Sequence, residues 1–227
     1  SSVQSRASKI GSAWFRAEVF AETMQLQKAR QELEIAGRIQ SSFLPTEIPT
    51  VAGWDIAATI LPARQTSGDF YDFVDLGNGN IGILVADVAD KGTGAALYMA
   101  LSRTLIRTYA MQYPDGPEEA LRAANERILS DTKSDQFVTV FYAILKPDSG
   151  ELVYANAGHN PAIVVGKNRE TQMLSKTGVP LGMFEGLKWK QNTIQLSKGD
   201  ILVLYTDGAS EAQNAKNDEF GEKRIIN

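Results

Sequence analysis

The sequence predicts an α+β protein whose sheets are largely antiparallel. Short turn segments such as residues 77–80 and 148–150 join neighbouring candidate strands, as in hairpins. Helical patterns are confined to the N-terminus, a central pair and the last residues, so strands and helices do not alternate as in a doubly wound fold. The 227 residues are 43% hydrophobic, which favours a globular core over a disordered chain.

A long N-terminal helix is predicted over residues 14–44, which contain no proline and only one glycine, Gly37. Pro45 and Pro49 end the helical pattern. Two interpretations remain open: a helix packed on its own domain, or a parallel coiled coil that forms a homodimer or passes a signal from an upstream sensor domain. The heptad seam is formed by Leu26, Ala29, Leu33, Ala36, Gln40 and Phe43.

We therefore expect two parts, a helical linker over residues 1–45, which is a candidate coiled coil, and a strand-rich domain over residues 46–227. In the second part, helices are predicted over residues 93–111, with Thr93 as N-cap, and 117–131, with Pro117 in the first turn. A last helix begins near Phe220. Strands are predicted over residues 54–60, 70–76, 81–86, 138–145, 151–154, 162–165, 189–196 and 201–205.

Composition excludes several classes of function. The chain has no cysteine and a single histidine, His159, so a disulfide scaffold, a cysteine zinc site, a thiolate nucleophile and a histidine-rich metal site are excluded. A formal net charge of −4 argues against nucleic-acid binding through phosphate contacts. The sequence shows no membrane span and no secretory segment, which predicts a cytoplasmic protein.

Three aspartates flank apolar strand patterns. Asp87 follows residues 81–86, Asp207 follows the apolar stretch that starts at Ile201, and Asp69 precedes residues 70–76. Any one of them alone is typical of a turn. A carboxylate at the end of a buried strand costs free energy unless it is paired or binds a cation, and several together repel. Oxygen-only ligands select hard cations such as Mg²⁺ or Mn²⁺, so the set favours a metal site.

Three other aspartates, Asp72, Asp75 and Asp200, are predicted to be ordinary solvent-facing or turn residues. Residues 87–96 are rich in glycine and open a helix, but they lack the spacing of a phosphate-binding loop and are a weak signal by themselves.

Seven short motifs occur in an order that resembles the SpoIIE/RsbU branch of the metal-dependent protein phosphatases, relatives of protein phosphatase 2C. The resemblance covers roughly residues 38–224. The motifs are residues 39–45 (IQSSFLP), 67–73 (SGDFYDF), 87–92 (DVADKG), 95–100 (AALYMA), 156–161 (NAGHNP), 180–182 (PLG) and 205–208 (YTDG).

The resemblance implies an α-β-β-α sandwich of two antiparallel sheets flanked by helices. It also implies removal of phosphate from serine or threonine by metal-activated water, with two Mn²⁺ or Mg²⁺ ions. Asp87 would bridge the ions with the Val88 carbonyl as a further ligand, Asp207 would hold one ion, and Asp69 would bind the second or its waters. The implied partner is a phosphorylated STAS-domain protein, an anti-sigma factor antagonist of a bacterial partner switch.

The chain departs from the family pattern at several positions. Ser67 and Asp90 stand where glycine is usual, and Ala89 replaces the histidine of eukaryotic relatives. The family's closing Asp-Asp-x-Thr motif is absent, so we expect a domain truncated at its C-terminus. An alternative is therefore a catalytically weak module that docks the same partner. His159 is predicted to be a packing or turn residue.

Overall fold

The computed structural model describes residues 2–62, 65–77, 79–133 and 135–226. Its helices are α1 (Ser2–Ser41), α2 (Thr93–Gln112), α3 (Pro117–Asp131), α4 (Asp207–Ser210) and α5 (Glu222–Ile226). Its strands are β1 (Phe70–Asp75), β2 (Ile81–Val88), β3 (Val138–Lys146), β4 (Glu151–Ala157), β5 (Ala162–Val165), β6 (Thr171–Leu174), β7 (Asn192–Gln195) and β8 (Ile201–Val203).

Two antiparallel sheets form the body of the fold. The larger has the order β1-β2-β3-β4-β7 and the smaller the order β6-β5-β8. Strand β3 lies at the centre of the larger sheet and is buried on both faces, which explains its nearly continuous run of apolar residues. The predicted α+β architecture with antiparallel sheets and flanking helices is confirmed.

Alternate residues of β3 enter two separate hydrophobic cores. Tyr142 and Ile144 pack in the core beneath α2 and α3, whereas Phe141 and Leu145 pack between the two sheets. The Phe141 ring stacks on Tyr154 of β4 with ring centroids 5.4 Å apart. The order of layers is therefore helices, larger sheet, smaller sheet.

The two central helices begin close to their predicted positions. Pro117 occupies the first turn of α3, where its missing N–H leaves no helical bond unmade. The prediction of Thr93 as N-cap is wrong, because Gly92 is the N-cap of α2 with φ 91°. A left-handed backbone at that position suits glycine and not a β-branched threonine.

Among the described side chains of α1, the buried ones lie in its C-terminal part. Gly37 and Gln40 are buried, whereas Leu26 is 66% exposed. The single glycine is needed for this contact, since a Cβ at Gly37 would lie 2.0 Å from the Gln65 carbonyl oxygen. The end of the helix is thus packed on its own domain, and pairing of its exposed part with a second copy remains a prediction.

Some predicted strands differ from those observed. Residues 55–60 form no strand, because no strand of the described residues pairs with them. The preceding Trp54 donates from Nε1 to the Pro147 carbonyl. Strand β7 is shorter than residues 189–196, since Trp189 turns into the core and donates from Nε1 to the Val179 carbonyl. Strand β6 was not predicted because three of its four residues are exposed and it has no apolar run.

No described helix combines the length and the apolar character needed to cross a bilayer.

Candidate metal centre

Three of the predicted site residues converge in space. One carboxylate oxygen each from Asp69, Asp87 and Asp207 lies within 4.8 Å of the other two. The chain therefore brings together three acidic groups from distant stretches of sequence, as the metal-site hypothesis requires. Asp69 and Asp87 are half-buried and Asp207 is exposed, so the cluster opens to solvent on one side.

Strand register places Asp69 next to Asp87. Phe70 of β1 pairs with Ala86 of β2, and the next step of this antiparallel register sets Asp69 opposite Asp87. The amide of Val88 donates to the Gly68 carbonyl at 3.3 Å, which continues the pairing past the end of β1. Like charges directly opposite each other are destabilising, so the pair needs a neutralising group.

Gly68 leaves space for two oxygen atoms of the site. A Cβ at this position would lie 2.6 Å from the Val88 carbonyl oxygen and 2.8 Å from Asp87 Oδ1. The Val88 carbonyl thus faces the same small cradle as the Asp87 carboxylate, next to the predicted position of the metal. In the sequence, the glycine just before Asp69 is the feature that indicates this close approach.

Asp207 reaches the cluster from the smaller sheet. Strand β8 ends at Val203, and Asp207 begins the short helix α4. Between them, the Tyr205 carbonyl accepts a hydrogen bond from His159 at 3.1 Å. The predicted structural role of His159 agrees with its environment, since it is 2% exposed and its Nδ1 lies 2.8 Å from Thr139 Oγ1.

The electrostatics of the cluster fit a divalent cation. Burial, together with the charges of Asp69 and Asp207, raises the pKa of Asp87 to about 7. Burial also raises the pKa of Asp69, with a further contribution from Asp207. Asp69 Oδ1 is buried without a hydrogen-bond partner in the described part of the chain. Carboxylates that repel one another, one of them with an unpartnered buried oxygen, offer the oxygen ligands that Mg²⁺ and Mn²⁺ prefer.

The prediction that Asp72 faces solvent is wrong. Its side chain is 1% exposed and accepts hydrogen bonds from Arg107 Nη1 at 2.9 and 3.0 Å. Arg103 Nη2 lies 2.9 Å from Asp72 Oδ2. Asp72 lies on the same face of β1 as the buried Phe70 and Val74. The alternation of residues along the strand could therefore have predicted that Asp72 is buried. The ion pairs of Asp72 with the two arginines connect α2 to β1, the strand that follows Asp69.

The remaining aspartates are turn residues. Asp75 Oδ1 accepts from the Gly77 amide, and Asp200 Oδ2 accepts from the Ser197 amide, as predicted for these two positions. Asp90 is exposed, and its carboxylate accepts from the Lys91 amide at 3.0 Å. Its φ of 84° explains why glycine suits this turn after Val88.

Sequence reasoning did not assign a role beyond the heptad seam to Gln40. Its side chain donates from Nε2 to the Ser67 carbonyl at 2.5 Å and accepts from the Ser67 amide at 3.0 Å. The Ser67 hydroxyl in turn accepts from the Asp69 amide at 3.1 Å. Helix α1 therefore contacts the backbone that leads into the acidic cluster.

Comparison with known proteins identifies the family. The family described as stage II sporulation protein E (SpoIIE) matches residues 77–227. The chain belongs to the SpoIIE family. Among family relatives, protein IcfG of Synechocystis is 31% identical over 223 residues, covering 87% of this chain and 35% of that protein. Phosphoserine phosphatase RsbU of Bacillus subtilis is 35% identical over 192 residues, covering 82% of this chain and 56% of that protein.

Solved structures agree with the fold of the SpoIIE family. The RsbU and RsbW domains of Rv1364c from Mycobacterium tuberculosis match with a TM-score of 0.58 at 29% identity, over 66% of this chain and 42% of that chain. The SiaA-PP2C domain of Pseudomonas aeruginosa matches with a TM-score of 0.72 at 20% identity, over 88% of this chain and 81% of that chain. The present chain spans about a third and just over half of the two curated relatives.

Proposed function

We propose that this chain is a metal-dependent protein-serine/threonine phosphatase. The convergence of the Asp69, Asp87 and Asp207 carboxylates within 4.8 Å carries the proposal. Membership of the SpoIIE family and the likeness to a protein named a phosphoserine phosphatase support it. A half-buried pair such as Asp69 and Asp87, whose pKa values are raised by burial and by neighbouring charge, has little structural use, because neutral groups at these positions would be more stable.

The residues that would hold Mn²⁺ or Mg²⁺ are Asp69, Asp87, Asp207 and the carbonyl of Val88. Divalent ions in such a site activate the attacking water and neutralise charge on the phosphoryl oxygens. The β1–β2 pairing sets Asp69 opposite Asp87, and the missing side chain of Gly68 leaves room beside the Val88 carbonyl oxygen and Asp87 Oδ1. The amide of Asp69 donates to the Ser67 hydroxyl, and this hydrogen bond stabilises the loop that leads into β1.

Side-chain chemistry of the chain fits hydrolysis without a covalent enzyme intermediate. The chain has no cysteine, and its one histidine has both ring nitrogens in hydrogen bonds with Thr139 and Tyr205. Burial lowers the pKa of His159 to about 4, so the ring stays neutral at physiological pH. His159 is therefore neither the nucleophile nor the proton donor, and the reaction depends on the acidic cluster.

We propose a serine-phosphorylated STAS-domain protein, an anti-sigma factor antagonist of a bacterial partner switch, as the substrate. The likeness to RsbU, and to a structure that contains RsbU and RsbW domains, supports this choice. A phosphorylated side chain on the surface of a folded domain would reach the cluster from its exposed side, where Asp207 lies.

The test is phosphate release from a serine-phosphorylated STAS domain with and without Mn²⁺. We expect turnover only with the metal, and a loss of at least about a hundredfold in Asp87→Asn, which removes one ligand charge. Asp75→Asn is the matched control, because Asp75 is exposed and bonds only its own turn. Full turnover in Asp87→Asn, or turnover in excess chelator, would overturn the proposal. Tight docking of the STAS domain without any release would favour the binding module instead.

We further propose that the exposed part of α1 forms a parallel coiled coil with a second copy and connects the domain to an upstream sensor. Val19 and Leu26 lie seven residues apart on the seam and are 44% and 66% exposed, which is unfavourable for large apolar side chains of a lone helix. Light scattering of the whole chain should show a dimer whose mass falls to the monomer value in Leu26→Glu. The neighbouring change Gln27→Glu should leave the mass unchanged, and a wild-type monomer at high concentration would contradict the proposal.

A further inference from the structure

His159 connects the two segments that carry the acidic residues. It follows strand β4 and is 2% exposed. Its Nδ1 lies 2.8 Å from the Thr139 hydroxyl of β3, and its Nε2 lies 3.1 Å from the carbonyl of Tyr205. A single buried side chain thus contacts both the larger sheet and the segment that follows the smaller sheet.

The hydrogen bonds define one tautomer of the ring. A carbonyl oxygen only accepts, so Nε2 carries the proton and donates to Tyr205. Nδ1 is then the acceptor, and the Thr139 hydroxyl donates to it. The hydroxyl also lies 3.3 Å from the Asp87 carbonyl oxygen, but its one proton goes to the nearer nitrogen. A neutral imidazole accepts at one ring nitrogen and donates at the other, so the one side chain serves both partners.

Both partners of His159 lie next to acidic residues of the metal centre. Thr139 is directly opposite Asp87 in the β2–β3 register. Tyr205 precedes Asp207 by two residues in the chain. In the described strands the two sheets have no ladder in common, so their relative position at this end depends on packing and on side-chain bonds such as these.

We propose that His159 is a positioning residue that sets the separation of Asp87 and Asp207 and thereby the affinity of the site for divalent cations. The inference rests on the proposed metal centre but not on the identity of the substrate. Without the ring, the Tyr205 carbonyl loses its hydrogen bond to His159, and the segment that carries Asp207 can move away from the larger sheet. Groups that orient metal ligands commonly change metal affinity by about tenfold to a hundredfold.

The experiment is calorimetric titration of the whole chain with Mn²⁺, which does not require activity. We expect His159→Ala to bind Mn²⁺ at least about tenfold more weakly than the wild type. His159→Gln places an amide N–H near the position of Nε2 and should recover part of the affinity. His159→Asn places only an acceptor near Nδ1 and should recover less, because the bond to Tyr205 holds Asp207.

A matched control separates positioning from general destabilisation. Leu152→Ala removes a fully buried side chain from β4, the strand that precedes His159, and should cost about 2–5 kcal/mol of stability. Leu152 contacts neither segment of the metal centre through a hydrogen bond, so its variant should keep wild-type Mn²⁺ affinity. Near-ultraviolet circular dichroism shows whether each variant is folded.

The outcomes separate this inference from the proposed function. If a folded His159→Ala binds Mn²⁺ as tightly as the wild type, the positioning role is overturned and the phosphatase proposal stays intact. If the Ala variant does not fold, wild-type affinity in both the Gln and the Asn variants leads to the same conclusion. Weakened binding together with no phosphate release by the wild type supports the positioning role and overturns the phosphatase. Failure of the wild type to bind Mn²⁺ overturns both.

Discussion

Asp72 of β1 accepts a hydrogen bond from Arg107 of α2 at 2.9 Å, and the carboxylate is almost wholly shielded from solvent. Arg103, one helical turn earlier, lies equally close to the other oxygen. Arg107 also donates to the Phe73 carbonyl at 2.9 Å, so the helix is bonded to the strand's backbone as well as to its side chain. The α2 helix is therefore held on the strand that begins just after Asp69.

The first prediction concerns this ion pair. Asp72→Ala should lower the free energy of unfolding by about 3 kcal/mol, because it leaves two arginines without their shared buried anion. Urea unfolding followed by circular dichroism measures the change. Asp75→Ala on the same strand is the control and should change stability by about 0.5 kcal/mol, since Asp75 is exposed. Equal effects of the two substitutions would show that the Asp72 pairing adds no stability.

The second prediction concerns the space beside the acidic cluster. In Gly68→Ala the new methyl group would press on the Val88 carbonyl oxygen and on Asp87 Oδ1. Backbone and carboxylate must shift, so Mn²⁺ affinity measured by calorimetry should fall by at least about tenfold. Gly166→Ala is the control, because a Cβ there would meet only ordinary van der Waals contacts. Unchanged affinity in Gly68→Ala would mean that these two oxygens do not contact the ion.

The third prediction concerns pH. Asp87 has a folded-state pKa of about 7 against an ordinary value of 3.8, so the metal-free folded protein retains a proton that the unfolded chain has released. Its contribution to stability is present at low pH and is lost as pH rises through this window. Asp87→Asn has no such loss. Its stability relative to the wild type should therefore increase between pH 5 and pH 8 in the presence of a chelator.

Thermal or urea unfolding of both proteins at the two pH values measures this difference. His159, whose pKa is lowered to about 4 chiefly by burial, also affects stability in this range. Its contribution is common to both proteins and cancels in the comparison. A difference that stays constant with pH would show that Asp87 ionises normally in the folded protein.

The fourth prediction concerns the attachment of α1. Gln40→Ala removes both hydrogen bonds to the backbone of Ser67 and leaves a half-buried amide and carbonyl without partners. We expect a loss of about 1–3 kcal/mol in stability and faster amide exchange in the C-terminal part of α1. Gln31→Ala, on the exposed part of the helix, should affect neither. Exchange rates that are equal in the two variants would contradict a role for Gln40 in docking the helix.

Much of the local structure was predictable because it depends on neighbours in sequence. The bounds of α3 and β5 agree with the predicted residues 117–131 and 162–165. Strand β6 could not be predicted, because pairing with β5 and not its own residues makes it a strand. Residues 55–60 have a strand-like composition but pair with no strand among the described residues, so they stay irregular.

The candidate site was predictable to a different extent. Apolar runs beside Asp69, Asp87 and Asp207 showed that these charges needed a neutralising group, and their convergence agrees with that reasoning. The same reasoning failed for Asp72, because the arginines that neutralise it lie on a helix that follows later in the chain. Which side chain of another helix or strand pairs with a given residue depends on tertiary packing, and the periodicity of the sequence does not show it.

By itself, the sequence determined the class of fold, the order of elements and the oxygen-rich character of the site. These follow from hydrophobic periodicity, from turn residues and from the absence of cysteine, all of which act locally or through composition. Only the tertiary structure decided which carboxylates converge and which one is paired with arginine, because the electrostatic field at each aspartate comes from residues that folding brings near it.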